Sequence, residues 1–66
     1  MRGTIKTFNR ERGYGFIKLA GGADDVFFHI SVWPSDLDPV RDQQVEFDIV
    51  TDPKSGGPRA SNLRLV

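Results

Sequence analysis

The stretch RGYGFIKL, residues 12–19, sets two large aromatic rings among small and basic side chains. If this stretch is extended, alternate side chains share one face of a strand. Arg12, Tyr14, Phe16 and Lys18 then project together. Aromatic rings stack on the flat faces of nucleobases, and neighbouring positive charges meet phosphate groups. The residue types and their spacing therefore predict contact with single-stranded nucleic acid.

A second stretch, DVFFHI at residues 25–30, repeats this pattern and places Phe27 and His29 on one face of a strand. The flat imidazole ring of His29 can stack on a base, and its protonated form carries a charge that suits a phosphate. As a catalyst, His29 would need a paired acid or a nucleophile, and Ser31 alone is a weak partner. We therefore favour stacking over catalysis for this histidine.

The composition and motifs of the chain do not favour an enzyme. The chain has no cysteine and one histidine, so a zinc site would lack its usual ligands. It also lacks a glycine loop followed by lysine that would cradle the phosphates of a nucleotide. We predict no catalytic residue, no metal and no cofactor.

Charge is balanced in total but unevenly distributed. Nine basic and nine acidic residues give a net charge of zero. The first 20 residues hold five bases against one acid, residues 21–52 hold eight acids against one base, and the remainder holds three bases. This distribution predicts either a polarised surface or, alternatively, charges scattered for solubility.

Strands, not helices, must position these side chains. Apolar residues alternate, and turn-forming residues recur every eight to twelve positions. Strands are predicted at residues 2–8, 13–19, 25–29, 44–50 and 60–65, with one helical turn near 31–33 in the long loop. We assign residues 1–66 to a single all-β domain, a five-stranded antiparallel barrel, because a closed or nearly closed barrel hides its sheet edges.

Alternation also predicts which side chains fill the barrel. Gly13 and Gly15 on the inner face would permit tight coiling. The inverted arrangement would bury Arg12 and Lys18 without partners, which is strongly unfavourable. A protein-binding patch remains an alternative use of the outer aromatics. The predicted interior comprises Ile5, Ile17, Leu19, Val26, Phe28, Val45, Phe47, Ile49 and Leu63.

RGYGFIKL resembles the first ribonucleoprotein motif of the cold-shock domain family, K-G-F-G-F-I, and DVFFHI resembles the second, D-V-F-V-H-F. The early IKTFN and the late GGPRASNL also fit, so the resemblance spans nearly the whole chain. It implies an OB-type barrel that binds single-stranded RNA and DNA with little sequence preference. It further implies an RNA chaperone or a regulator of transcription or translation.

The resemblance and the face analysis together define a candidate site. Thr7 stands where the family usually has tryptophan, and its exposure to nucleic acid would require a bulge or strong twist in the first strand. Trp33 either compensates for the lost ring or plugs the barrel under the long loop. Ile30 replaces a phenylalanine. The candidate residues are Lys6, Phe8, Asn9, Arg12, Tyr14, Phe16, Lys18, Phe27, His29, Ile30, Trp33 and Arg59.

The expected partners are single-stranded RNA and DNA, bound by a monomer, with a strand-swapped dimer as an alternative. The start MRGTIKTF lacks a signal-peptide core, and no apolar run approaches the ~20 residues of a membrane span, which favours a cytoplasmic protein without membrane contact by this domain. Two alternatives stay open: a protein-interaction module on the same barrel, and the N-terminal nucleic-acid-binding domain of a longer, membrane-anchored chain.

Overall fold

All five predicted strands are present in a computed structural model that describes residues 1–22 and 25–66. Each observed boundary lies within two residues of the predicted one. A 3₁₀ turn follows the third strand at Ile30–Val32, shifted by one residue from the predicted helical turn. Ala23 and Asp24, in the predicted turn AGGAD, lie outside the described residues. The strands are β1 Arg2–Asn9, β2 Tyr14–Leu19, β3 Asp25–His29, β4 Gln44–Thr51 and β5 Pro58–Leu65.

The sheet closes into a barrel with strand order β1-β2-β3-β5-β4, as the all-β, OB-type prediction requires. Four pairings are antiparallel, but β3 and β5 pair in parallel, with Phe27 opposite Arg59. This departure from the predicted antiparallel barrel is geometric. Strand directions can alternate around a closed ring only when the number of strands is even, so a five-stranded barrel must contain one parallel pairing.

The core follows the predicted alternation, with one error at its rim. Seven predicted residues are buried, and Leu19 packs against them half-buried. Ile49 is 38% exposed, because the β1–β4 ladder ends near Glu46 and Phe47 and therefore no β1 residue covers it. Trp33 and Ala60 also join the core. The buried predicted residues are Ile5, Ile17, Val26, Phe28, Val45, Phe47 and Leu63.

Gly15 shows why the barrel needs glycine on its inner face. A Cβ atom at this position would collide with the Thr7 carbonyl oxygen and lie 2.8 Å from the Phe28 ring. Gly13 has a different role from the one predicted, because it lies before β2, in the turn, with a φ of 72° that favours glycine. Within the described part of the chain, no helix has the length and apolarity of a membrane span.

Candidate nucleic-acid interface

Three half-buried aromatic rings form a cluster on the outer face of β2 and β3, as predicted. The Tyr14 and Phe27 ring centroids are 5.5 Å apart, Phe16 and Phe27 are 6.1 Å apart, and Tyr14 and Phe16 are 6.2 Å apart. Phe16 lies opposite Phe27 in the β2–β3 ladder, so the pairing register itself brings the rings together. We call Tyr14, Phe16 and Phe27 the aromatic cluster.

The cluster belongs to a row of side chains that crosses every strand. Thr7 pairs with Phe16, Phe16 with Phe27, Phe27 with Arg59, and Arg59 with Val50. Paired residues project from the same face of a sheet. The outer surface therefore offers hydroxyl, two rings, a guanidinium and an aliphatic side chain in succession from β1 to β4.

A bulge in β1 adds positions to this surface. Ile5 pairs with Ile17 and Thr7 with Phe16, so Lys6 is an extra residue between two regular pairs. Lys6 and Thr7 are consecutive in the chain, yet both are exposed, while Ile5 is buried. This arrangement is the bulge that exposure of Thr7 required.

Phe8 lies beside the aromatic cluster but not in it. Its ring stacks on the buried ring of Phe28, with centroids 6.0 Å apart and an interplanar angle of 17°. Phe8 is therefore half-buried at the end of the barrel, opposite Gly15 in the ladder. Ile30 has a similar position: it is half-buried against the core, and its N–H donates to the Gly13 carbonyl.

His29 lies opposite Tyr14 in the β2–β3 ladder and is held by the start of the 3₁₀ turn. Its Nδ1 accepts a hydrogen bond from the Ser31 backbone N–H at 3.1 Å and lies 2.9 Å from the Ser31 hydroxyl. A nitrogen that accepts from a backbone N–H carries no proton, so in the neutral ring the proton resides on Nε2. The geometry leaves Nε2 as the nitrogen that can donate to a ligand.

Ion pairs engage part of the predicted basic surface. Lys6 Nζ lies 2.8 Å from Asp25 Oδ2, and Arg10 pairs with Asp38 at 3.3 Å. Among the described residues, Arg12 and Lys18 make no ion pair, and both are exposed. The basic charge of the face is therefore weaker than the count of basic residues suggests.

Asn9 has a structural role in this region. Its Oδ1 accepts a hydrogen bond from the Arg12 backbone N–H at 3.2 Å, and its carbonyl accepts from Gly13 N–H at 2.9 Å. These bonds close the turn between β1 and β2 and so fix the position of Arg12. Asn9 itself is exposed.

Trp33 lies in the core and not on the outer face. Its side chain is 8% exposed, its ring centroid lies 6.0 Å from that of Phe28, and Nε1 donates to the Leu37 carbonyl at 2.6 Å. Of the two roles considered for Trp33, the plug under the long loop agrees with this position. A stacking contact with a base does not, because the ring has no free face.

Sequence reasoning missed a groove beside the cluster. The groove has a volume of about 440 Å³ and lies between the end of β3 and the β4–β5 loop. Lys54 follows a turn-forming Asp-Pro pair, which indicated a loop but not its proximity to β3. The groove is lined by Phe27, His29, Ser31, Asp52, Pro53, Lys54 and Arg59.

Asp52 contributes a carboxylate to this groove. The Lys54 backbone N–H donates to Asp52 Oδ1 at 2.8 Å and is the main cause that holds the pKa of Asp52 below its ordinary value of 3.8. A backbone hydrogen bond from Ser55 and the positive charges of Arg59 and Lys54 act in the same direction. Asp52 is consequently ionised at neutral pH, and the groove carries charges of both signs.

Within residues 1–22 and 25–66, no group of three histidine, cysteine or acidic side chains is arranged to hold a metal ion. The closed barrel, the outer aromatic cluster and the adjoining basic side chains define an OB-type nucleic-acid-binding domain. Comparison with known proteins agrees: the profile described as "'Cold-shock' DNA-binding domain" matches residues 1–66. The chain belongs to the cold-shock domain family.

Curated relatives match over nearly their whole length. Cold shock protein CspA of Rhizobium meliloti (strain 1021) is 47% identical over 64 residues, covering 94% of this chain and 93% of the relative. Cold shock-like protein CspC of Bacillus cereus is 46% identical over 65 residues, 96% of this chain and 95% of the relative. Membership in this family supports nucleic-acid binding by the chain.

Proposed function

We propose that this protein binds single-stranded RNA and DNA with little sequence preference and acts in the cytoplasm as an RNA chaperone. The aromatic cluster carries the proposal, because it presents three adjoining rings, each half-buried, on the outside of a closed barrel. Every base has a flat π-face, so stacking on such rings tolerates any sequence. Each stacked base contributes roughly 1–3 kcal/mol.

Selectivity for single strands follows from the same geometry. In a duplex, the flat faces of the bases are covered by their neighbours, so the rings of Phe16 and Phe27 would have nothing to stack on. A protein that binds open strands and not paired ones shifts the equilibrium towards open strands by mass action. The proposed chaperone activity therefore requires neither a catalytic residue nor ATP hydrolysis, and a monomer suffices for it.

Phosphate contacts should be few, and the affinity therefore modest. Among the described residues, the basic side chains near the cluster that make no ion pair are Arg12, Lys18, Lys54 and Arg59. Each neutralised phosphate of a single strand contributes about −0.7 to the slope of log K against log salt concentration. We expect a shallow slope, equivalent to two to four phosphates at about −0.7 each.

Fluorescence anisotropy of labelled oligo-dT and of a duplex of equal length tests the proposal. The wild-type protein should bind only the single strand, and the Phe16→Ala plus Phe27→Ala variant should bind it about thirtyfold more weakly or worse. The matched control is Ile49→Ala plus Leu65→Ala, which removes two exposed apolar side chains outside the cluster. Equal affinity for both forms of DNA, or equal loss in both variants, would contradict the proposal.

A further inference from the structure

The Arg59 guanidinium lies over the Phe27 ring. Its central carbon is 5.9 Å from the ring centroid, and the parallel β3–β5 pairing holds the two backbones side by side. Arg59 is half-buried, although it projects from the outer surface of the barrel. A cation at this distance from an aromatic ring is attracted by the negative charge of the ring face.

An ion pair would be the more usual position for this side chain, and an acid is nearby. Asp52 lines the same groove, and the charge of Arg59 contributes to the lowered pKa of its carboxyl. Among the described residues, Arg59 nevertheless makes no ion pair within 4 Å and no side-chain hydrogen bond. Of the residues that the structure describes, only the Phe27 ring therefore holds the guanidinium, and its hydrogen-bond donors remain available to a ligand.

We propose that Arg59 is a second stacking plane, which holds one base between its guanidinium and the Phe27 ring. This inference rests on the proposed single-strand binding and specifies how one base is held. A base between two planar groups needs them about 7 Å apart, twice the contact distance between stacked carbon atoms. The observed 5.9 Å between the guanidinium carbon and the ring centroid is less than this spacing, so the Arg59 side chain has to move outward to admit a base.

The groove beside Phe27 supports a path for the nucleic acid past Arg59. A base stacked on Phe27 lies at the edge of the groove, where Lys54 supplies a positive charge for its phosphate. The ionised Asp52 provides a place for the guanidinium to turn to when the base enters or leaves. The base on Phe27 is thus covered on both of its faces, while the base on Phe16 is covered on one face only.

Arginine and lysine differ in a way that tests the proposal. Both carry one positive charge, but only the guanidinium is planar and stacks on a ring. We expect Arg59→Lys to weaken oligo-dT binding about two- to fivefold while the salt slope stays unchanged. Arg64→Lys is the matched control, because Arg64 lies on the same strand and pairs with Glu46 away from the cluster.

A double-mutant cycle with Phe27→Leu separates stacking from simple charge. In the Phe27→Leu background the Arg59→Lys change should have no measurable effect, because no ring remains to complete the sandwich. An undiminished effect in that background would overturn the proposal in favour of a phosphate contact. Equal affinities of Arg59→Lys and wild type would also overturn it. Failure of the wild type to bind oligo-dT would instead refute the proposed function as well.

Discussion

The Lys6 ammonium lies 2.8 Å from the Asp25 carboxylate, across the outer face of β2. Lys6 is a predicted phosphate contact, and its side chain is 52% exposed, so a strand of nucleic acid can reach it. An exposed ion pair contributes only about 0–1 kcal/mol. The pair is therefore weak enough to break on binding, but it subtracts from the affinity that Lys6 would otherwise provide.

Asp25→Asn should consequently strengthen oligo-dT binding, by up to about fivefold at low salt. The log–log salt slope should steepen by about 0.7, because one more cation becomes free to neutralise a phosphate. Asp48→Asn makes the same change in net charge on β4, where Asp48 accepts a hydrogen bond from Asn62 and pairs with no basic residue among those described. If both variants gained equally in an anisotropy titration, net charge and not the Lys6 pair would be responsible.

Gly15→Ala should destabilise the barrel by about 1–3 kcal/mol, the range typical of overpacking. The added methyl group would collide with the Thr7 carbonyl oxygen and the Phe28 ring, neither of which can move freely. Gly57→Ala is the control, since its added atom would meet only the Ser55 hydroxyl at 3.6 Å. Urea unfolding followed by circular dichroism would measure both, and equal midpoints would show that the inner face has room to spare.

Glu46 should make the stability of the barrel depend on pH in the acidic range. Hydrogen bonds first from Arg64 and then from Arg2 hold its pKa below the ordinary value of 4.5. A carboxyl whose pKa is lowered in the folded state stabilises the fold fully when the pH is above its pKa in the unfolded chain. This contribution is lost as the pH falls through its pKa in the folded state.

Glu46→Gln should therefore be less stable than the wild type at about pH 7, and the difference should shrink as the pH falls below 4.5 and through the lowered pKa of the folded state. Thermal unfolding at a series of pH values would show this convergence. Salt at about 1 M should reduce the difference at neutral pH, because it screens exposed ion pairs. A difference that persisted at acid pH would have to come from something other than the carboxylate charge.

Trp33→Phe should cost about 1–3 kcal/mol of stability, through the lost hydrogen bond to the Leu37 carbonyl and the smaller ring. Binding of oligo-dT by the folded variant should stay within about twofold of wild type, because Trp33 lies behind Phe28. Leu37→Ala keeps the backbone acceptor and alters a side chain that is 78% exposed, so it should change stability by less than about 0.5 kcal/mol. A large loss of binding in Trp33→Phe would show that the Trp33 ring contributes to nucleic-acid binding.

Local patterns sufficed for the strands and for the aromatic cluster. Tyr14, Phe16 and Phe27 alternate with residues that fill the core, so period-two alternation alone predicts that the three rings share the outer face. Features that lie in irregular loops or depend on distant strand pairing were harder to predict from the sequence. Trp33 was ambiguous because it lies in an irregular loop, where alternation does not indicate which side chains are buried. Ile49 was wrong because its burial depends on where β1 begins beside β4.

The ion pairs of the face could not have been predicted for a related reason. Lys6 and Asp25 are 19 positions apart and meet only because both flank β2. The groove beside Arg59 likewise depends on how the β4–β5 loop approaches the end of β3. Composition counts such charges but does not indicate which of them neutralise each other.

The bulge in β1 also determines how the chain can change in length. Since Ile5 pairs with Ile17 and Thr7 with Phe16, the ladder is continuous without Lys6. Removal of that one residue would leave Ile5 inward, Thr7 outward and Phe8 over Phe28, with no slip of register on either side. Deletion of Thr4, where the pairing is regular, would instead shift the register on one side by one residue. The bulge at Lys6 and Thr7 therefore marks the place where the strand can be shortened while the barrel stays intact.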